Sequence, residues 1–245
     1  MENQFERMEM LLGKDAVSLL HEKRVAVFGV GGVGGYVVEA LARGGVGAID
    51  LIDNDTVSIT NLNRQIIALH STIGAYKVDV AAERVHDIFP ECKVKTFRQF
   101  YLPENADEID LSVYDYVVDC IDTVTAKLEL IRRCHRLNVP IISCMGAANK
   151  LNPTAFRVTD ISKTKMDPLA KVIRRKLRSE GINHLKVVYS TEEPLKPKPQ
   201  DGENETSQPE NGRRVPASNS FVPAAAGLVA GAAVVIELIG LKFGE

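Results

Sequence analysis

The sequence predicts an α/β protein: a doubly wound, mostly parallel sheet over the first half, followed by a C-terminal α+β extension. Three observations predict it. Short apolar runs alternate with stretches of helical apolar spacing between Arg24 and Cys144, and strands that alternate with crossover helices fold as a parallel sheet. A glycine cluster follows directly on the first apolar run. The chain has 245 residues, 45% hydrophobic and 25% charged, so it can bury a core and is too apolar for disorder.

The elements follow in order. RVAVF at 24–28 reads as a buried strand. Residues 32–43 carry Val33, Val37, Ala40 and Leu41 at helical spacing, and 48–52 is a second strand. Residues 77–89 form an amphipathic helix with Val78, Ala81, Ala82, Val85 and Phe89 on one side. Residues 94–97 are a third strand and 116–119 an apolar strand ending in acid; a helix over 125–137 and a buried strand over 140–144 complete the alternation. In the second half, 167–178 is a helix with Asp167 as N-cap and Pro168 at its first position. Residues 184–189 form a strand. Residues 192–216 are polar and hold five of the eleven prolines, which predicts a mobile loop. The expected division is 1–150 and 151–245, the second part completing a substrate site rather than folding alone.

Composition excludes several classes. A net charge of −2 rules out a polycation that coats nucleic acid. The four cysteines, Cys92, Cys120, Cys134 and Cys144, form no CxxC pair, which removes a zinc ribbon, a thioredoxin-type motif and a disulfide scaffold. The charged N-terminus has no apolar stretch of the signal-peptide kind, so a cytoplasmic location is expected. Residues 221–236 carry no charge. Their Ala/Gly content, Pro223 and the following Glu237 favour a core or interface helix over an integral membrane span.

Gly29-Val30-Gly31-Gly32-Val33-Gly34 fits G-x-G-x-x-G between a strand and a helix. Such glycines let the backbone turn tightly against a phosphate at a helix N-terminus, and Asp53, ending the next strand, is placed for ribose hydroxyls. The motif by itself leaves NAD and ATP open. After Asp53 a polar loop presents Asp55, Asn61, Asn63, Arg64 and Gln65; Lys77 opens a helix after Gly74, and Asp119 and Asp122 lie at a strand's C-terminal end. Two cations for a triphosphate and a carboxylate for its Mg2+ suit nucleotidyl transfer; hydride transfer has no use for them. Cys120 and Cys144 are expected in strands as core residues.

The runs GVGGVGG, LIDNDTVSITNLNRQ, GAYK and DCID resemble the adenylating superfamily of ubiquitin-activating enzymes and the HesA/MoeB/ThiF proteins, over nearly all of residues 1–150. The resemblance implies a Rossmann-like site that binds Mg-ATP and adenylates a carboxylate. It places the loop of Gly29, Gly31, Gly32 and Gly34 at the phosphates, Asp53 at the ribose, and Asn61, Arg64, Gln65 and Lys77 at the triphosphate. Asp122 becomes the catalytic, Mg2+-side acid. Arg7, in FERMEMLLG, matches an arginine that reaches the partner's ATP across a homodimer interface.

The second half lacks both a CxxC pair and a thioester cysteine. It is also basic: residues 157–186 hold nine cations (Arg157, Lys163, Lys165, Lys171, Arg174, Arg175, Lys176, Arg178, Lys186) against Asp160, Asp167 and Glu180, a balance suited to phosphate backbones. The runs NPTAFRVTDISKTKMDPLAKVIRRKLR, VVYSTE and PASNSFVPAAAGLVAGAAVV are similar to the tRNA threonylcarbamoyladenosine dehydratase family. That resemblance implies adenylation of the threonyl carboxylate on tRNA carrying threonylcarbamoyladenosine. Ring closure by an internal nitrogen follows, so no enzyme cysteine is needed. It also implies ATP and Mg2+, room for a monovalent cation (Na+ or K+) on backbone carbonyls, and association with a cysteine desulfurase system. The alternative activity is that of an adenylating activator of a ubiquitin-like sulfur-carrier protein. Outside the adenylating enzymes stand an NAD-dependent oxidoreductase and a nucleotide-regulated scaffold.

Overall fold

The computed structural model describes residues 3–198 and 216–243. Its centre is one seven-stranded sheet in the order β3-β2-β1-β4-β5-β7-β6. β1 (Arg24–Phe28), β2 (Ala48–Ile52), β4 (Tyr116–Asp119) and β5 (Ile141–Cys144) are buried almost throughout, as parallel strands covered on both faces must be. β3 (Lys93–Phe97) is an edge and correspondingly polar. The crossover helices are α3 (Gly34–Arg43), α4 (Lys77–Ile88) and α5 (Val124–Leu137). The sheet thus has the doubly wound α/β form that the alternation predicts.

The C-terminal extension adds to this sheet. β7 (Lys186–Ser190) pairs in parallel with β5, and β6 (Phe156–Asp160) pairs antiparallel with β7. The sequence reading has no strand at 156–160, because FRVTD is short and lies beside the NPTA turn; sheet pairing supplies what local pattern lacks. It also has no N-terminal helices, whereas α1 (Glu6–Leu12) and α2 (Lys14–His21) precede β1. α6 (Pro168–Ser179) begins as expected, with the Asp167 carboxylate accepting from the Ala170 N–H. Cys144 lies in β5, but Cys120 falls one residue past β4.

The apolar C-terminal segment is α7 (Val222–Leu238), a core helix packed on α3. A Cβ at Gly227 would lie 2.3 Å from the Val33 carbonyl oxygen, so the two helix backbones nearly touch. Glu237 does not break this helix. Its Oε2 accepts from the Tyr116 hydroxyl at 2.9 Å and pairs with Lys186. No helix among the described residues is long and apolar enough to cross a membrane. Of the loop expected over 192–216, residues 199–215 lie outside the described residues. Its beginning is tethered: the Glu192 carboxylate accepts from the Leu151 and Asn152 N–H groups.

Candidate active site

In an open α/β sheet the ligand crevice opens at the strands' C-terminal ends where the strand order reverses. Here that point lies between β1 and β4. A cleft of about 480 Å³ occupies it, lined by the glycine loop, the turn after β2, the ends of β4 and β5, and Pro216, Ser218 and Pro223 from the extension.

Gly29 holds φ +87°, and a Cβ there would lie 2.8 Å from the Cys120 carbonyl oxygen. The loop therefore turns against the neighbouring strand with no space for a side chain. Gly31 and Gly32 line the cleft. Gly34, expected at the phosphates, does not. A Cβ there would lie 1.8 Å from the Gly29 carbonyl oxygen, so its small size serves close packing of α3 on the loop.

The Asp53 carboxylate accepts from the Val30 N–H at 2.7 Å and the Asp55 N–H at 2.8 Å, tying the glycine loop to the turn after β2. Asn61 is buried; its Oδ1 accepts from the Ser58 N–H at 3.0 Å, leaving Nδ2 for a ligand. The Arg64 guanidinium donates to the Thr60 carbonyl at 2.8 Å and to Asn63 Oδ1 at 2.9 Å. It is aimed by neutral groups, with no acid paired to it among the described residues. Lys77, the first residue of α4, is 5% exposed, and its Nζ meets Asp55 Oδ2 at 2.6 Å. A cation at a helix N-terminus opposes the dipole, so its position there calls for an anion. Asp122 is exposed in the cleft, its one side-chain hydrogen bond among the described residues a long 3.4 Å contact from Thr123 Oγ1.

Gln65 tests whether a nucleotide fits. Its Oε1 is buried with no hydrogen-bond partner, a state that costs about 1–3 kcal/mol. An amide can present either end, and a ligand with hydroxyl donors and phosphate acceptors satisfies it both ways. The cleft thus gathers Gly29, Gly31, Gly32, Asp53, Asp55, Asn61, Arg64, Gln65, Lys77 and Asp122. Arg7 is not among its lining residues and lies exposed on α1.

Asp119 belongs elsewhere. It is fully buried beneath the cleft, its Oδ2 2.7 Å from Lys127 Nζ and 2.5 Å from Ser143 Oγ. Lys127 also donates to the Cys144 carbonyl at 3.0 Å. Sequence reasoning missed this lysine; its signal was a cation on the same helix face as Ile131 and Cys134, which are both buried. A second buried pair, Lys150–Asp167 at 3.3 Å, also joins two loops near the cleft. Asn149, Lys150 and Asn63 bond residues 217–219, at 2.8 Å (Asn149 N–H to Ala217 O), 2.8 Å (Asn219 Nδ2 to Lys150 O) and 3.2 Å (Asn63 Nδ2 to Ser218 O). These bonds stitch the extension to the rim.

Not every expected surface cation is free. Arg174 donates to the Ile161 and Thr164 carbonyls, Arg157 to the Thr154 and Phe156 carbonyls, and Lys186 pairs with Glu237. These three side chains hold the fold. Lys163, Lys165, Lys171, Arg175, Lys176 and Arg178 remain exposed on and before α6, and Leu169 of α6 lines the cleft.

A doubly wound sheet with a glycine loop and a cluster of acids and cations at its switch point defines a nucleotide-binding α/β enzyme. The chain belongs to the ThiF family, whose profile matches residues 5–239. It is 45% identical over 241 residues to the tRNA threonylcarbamoyladenosine dehydratase of Bacillus subtilis, covering 97% of this chain and 95% of that protein. The crystal structure of the Escherichia coli tRNA N6-threonylcarbamoyladenosine dehydratase with AMP superposes with a TM-score of 0.85 at 36% identity, covering 96% of this chain and 94% of that one. The same enzyme with ATP gives 0.83 at 35%, covering 96% and 93%. The molybdopterin-synthase adenylyltransferase of Haemophilus influenzae is 32% identical over 67% of each chain.

Proposed function

We propose that this chain is an ATP-dependent tRNA threonylcarbamoyladenosine dehydratase. The observation that carries the reading is what gathers around the glycine loop in one cleft: the Arg64 guanidinium held by neutral groups, the Lys77 ammonium against a solvent-exposed Asp55, and the Gln65 amide with its Oε1 unsatisfied. Its likeness over nearly the whole chain to the Bacillus subtilis dehydratase supports the choice of substrate.

In this reading the glycine-loop N–H groups, Asn61 and Gln65 hold the phosphates, and Asp53 meets the ribose. The threonyl carboxylate attacks the α-phosphorus and pyrophosphate leaves; the carbamoyl nitrogen then closes the ring and AMP leaves. The chain contributes position and charge neutralisation, with Lys77 and Arg64 facing the negative charge that builds on the phosphates. Mg2+ would share that neutralisation, with Asp122 the carboxylate placed to hold it. No step runs through a monovalent cation or a cysteine desulfurase partner. The exposed cations on and before α6 support tRNA backbone contacts beside the cleft. Arg7 acts from a second copy in this reading, and the exposed Met10 (82%) and Leu11 (78%) of α1 support an interface there.

The test incubates the protein with ATP, Mg2+ and tRNA carrying threonylcarbamoyladenosine, then weighs the nucleosides. Loss of one water, with AMP formed, is expected. AMP formation that needs a small Gly-Gly-terminated protein instead of RNA would favour the sulfur-carrier alternative. Lys77→Ala and Asp122→Ala should each lower product formation by about 10²–10³-fold.

A further inference from the structure

The dehydration mechanism uses no cysteine, yet two of the four thiols line the nucleotide cleft. Cys120 Sγ lies 3.8 Å from Cys144 Sγ, in the geometry of an S–H···S contact. The pairing places them so: β4 and β5 run parallel with Asp119 opposite Ser143, so the next residue on each chain is Cys120 or Cys144, both turned to the other face of the sheet. Neighbouring strands lie about 4.8 Å apart, inside the Cα–Cα range of about 4.4–6.8 Å that a disulfide spans. Neither thiol is bonded to a cysteine in the structure, and Cys120 is the more accessible of the two.

We propose that Cys120 and Cys144 form a dithiol modification site on the cleft floor, closing to an intramolecular disulfide under a peroxide and thereby excluding nucleotide. This inference rests on the nucleotide reading of the cleft. The Cys120 sulfur attacks the peroxide; the O–O bond breaks, a sulfenic acid forms, and the thiol proton leaves in a first water. The Cys144 sulfur then attacks the Cys120 sulfur. The S–S bond forms, the S–O bond breaks, and the departing hydroxide takes the Cys144 proton as a second water. Two thiols are oxidised and one peroxide is reduced to two waters.

Closure acts on the glycine loop because the loop packs against Cys120 with no room for a side chain. Shortening the sulfur separation from 3.8 Å to a bond of about 2.05 Å displaces Cys120. The glycine loop runs so close to it that a Cβ built on Gly29 would lie 2.8 Å from the Cys120 carbonyl oxygen, and one built on Gly34 3.4 Å from Cys120 Cβ. The contact with Cys144 and burial hold the Cys120 thiol above its ordinary range, which makes its oxidation slow. Cys92 and Cys134 are buried elsewhere, and burial pushes both up to about 12. They are internal controls.

The experiment first measures ATP binding of the untreated protein, which tests the nucleotide reading separately. Hydrogen peroxide is then added with and without saturating ATP, followed by alkylation under denaturing conditions and peptide mass mapping. The expected result is a Cys120–Cys144 linked peptide lacking two hydrogens, with Cys92 and Cys134 alkylated. ATP should slow its formation, and ATP affinity should fall about tenfold or more and return with a thiol reductant. Cys134→Ser should leave the link intact. Cys144→Ser should abolish it and be compared with its own affinity before treatment. A link between other cysteines, or none, overturns the site. A link that forms equally with ATP bound and leaves affinity unchanged overturns its effect on the cleft.

Discussion

Two lysine–aspartate centres flank the same cleft and differ in what surrounds them. Below the floor, Lys127 and Asp119 have side-chain exposures of 0% and 0%. Each has further partners: Ser143 Oγ serves both, the Ile121 N–H serves Asp119, and the Cys144 carbonyl serves Lys127. At the mouth, Lys77 and Asp55 have side-chain exposures of 7% and 59%. Here the lysine is buried and the acid is wet. A closed, satisfied pair fixes geometry and is expensive to break. A pair whose acid already sits in water releases its cation cheaply. The same two residue types therefore form a closed structural tie in one place and, in the other, a pair open to the cleft where the proposed function puts the phosphates.

The first way to break the comparison is Lys127→Met, which leaves Asp119 charged and unpaired in the core. Urea unfolding should show a loss of about 3–5 kcal/mol, much of it recovered in Lys127→Met/Asp119→Leu. A loss below about 1 kcal/mol would make the two centres alike. Lys77→Ala should do the reverse. ATP–pyrophosphate exchange or dehydration should fall about 10²–10³-fold, while unfolding shifts by no more than about 1 kcal/mol.

Asp53→Ala should come next in size. It frees the Val30 and Asp55 N–H groups and loosens the glycine loop, raising the KM for ATP by about tenfold, or about 1.4 kcal/mol. Circular dichroism should be unchanged. The smallest effect on ATP belongs to Lys165→Ala/Lys171→Ala/Arg175→Ala. This variant should bind nucleotide normally and tRNA more weakly, its salt dependence shallower by about one unit for each phosphate it no longer touches. Arg174→Ala, by contrast, should lower thermal stability, because that side chain bonds the Ile161 and Thr164 carbonyls.

Much of the fold is readable from the chain. The core strands at 24–28, 48–52 and 116–119 coincide with the structure, because buried parallel strands are continuous apolar runs with sharp polar ends. Helix starts marked by a side chain, as at Asp167, are equally legible. FRVTD at 156–160 is not, since its partner lies about thirty residues on and only pairing makes it a strand. The glycines split the same way. Gly29, Gly31, Gly32 and Gly34 form one motif, yet Gly34 packs a helix while Gly31 and Gly32 face the cleft.

By itself the sequence determined the alternation of strands and helices between Arg24 and Cys144, the glycine loop, the polar turn after β2 and the family these imply. Those features are local: periodicity, spacing and residue type are written along the chain. The tertiary structure alone decided which charges are free. It buried Asp119 against Lys127, tied Arg157, Arg174 and Lys186 to main-chain or acid partners, and left Arg64 and Lys77 facing the cleft. It also brought Cys120 and Cys144 into contact. A charge or a thiol acts according to its partners and its access to water. Both are set by segments far away in the chain.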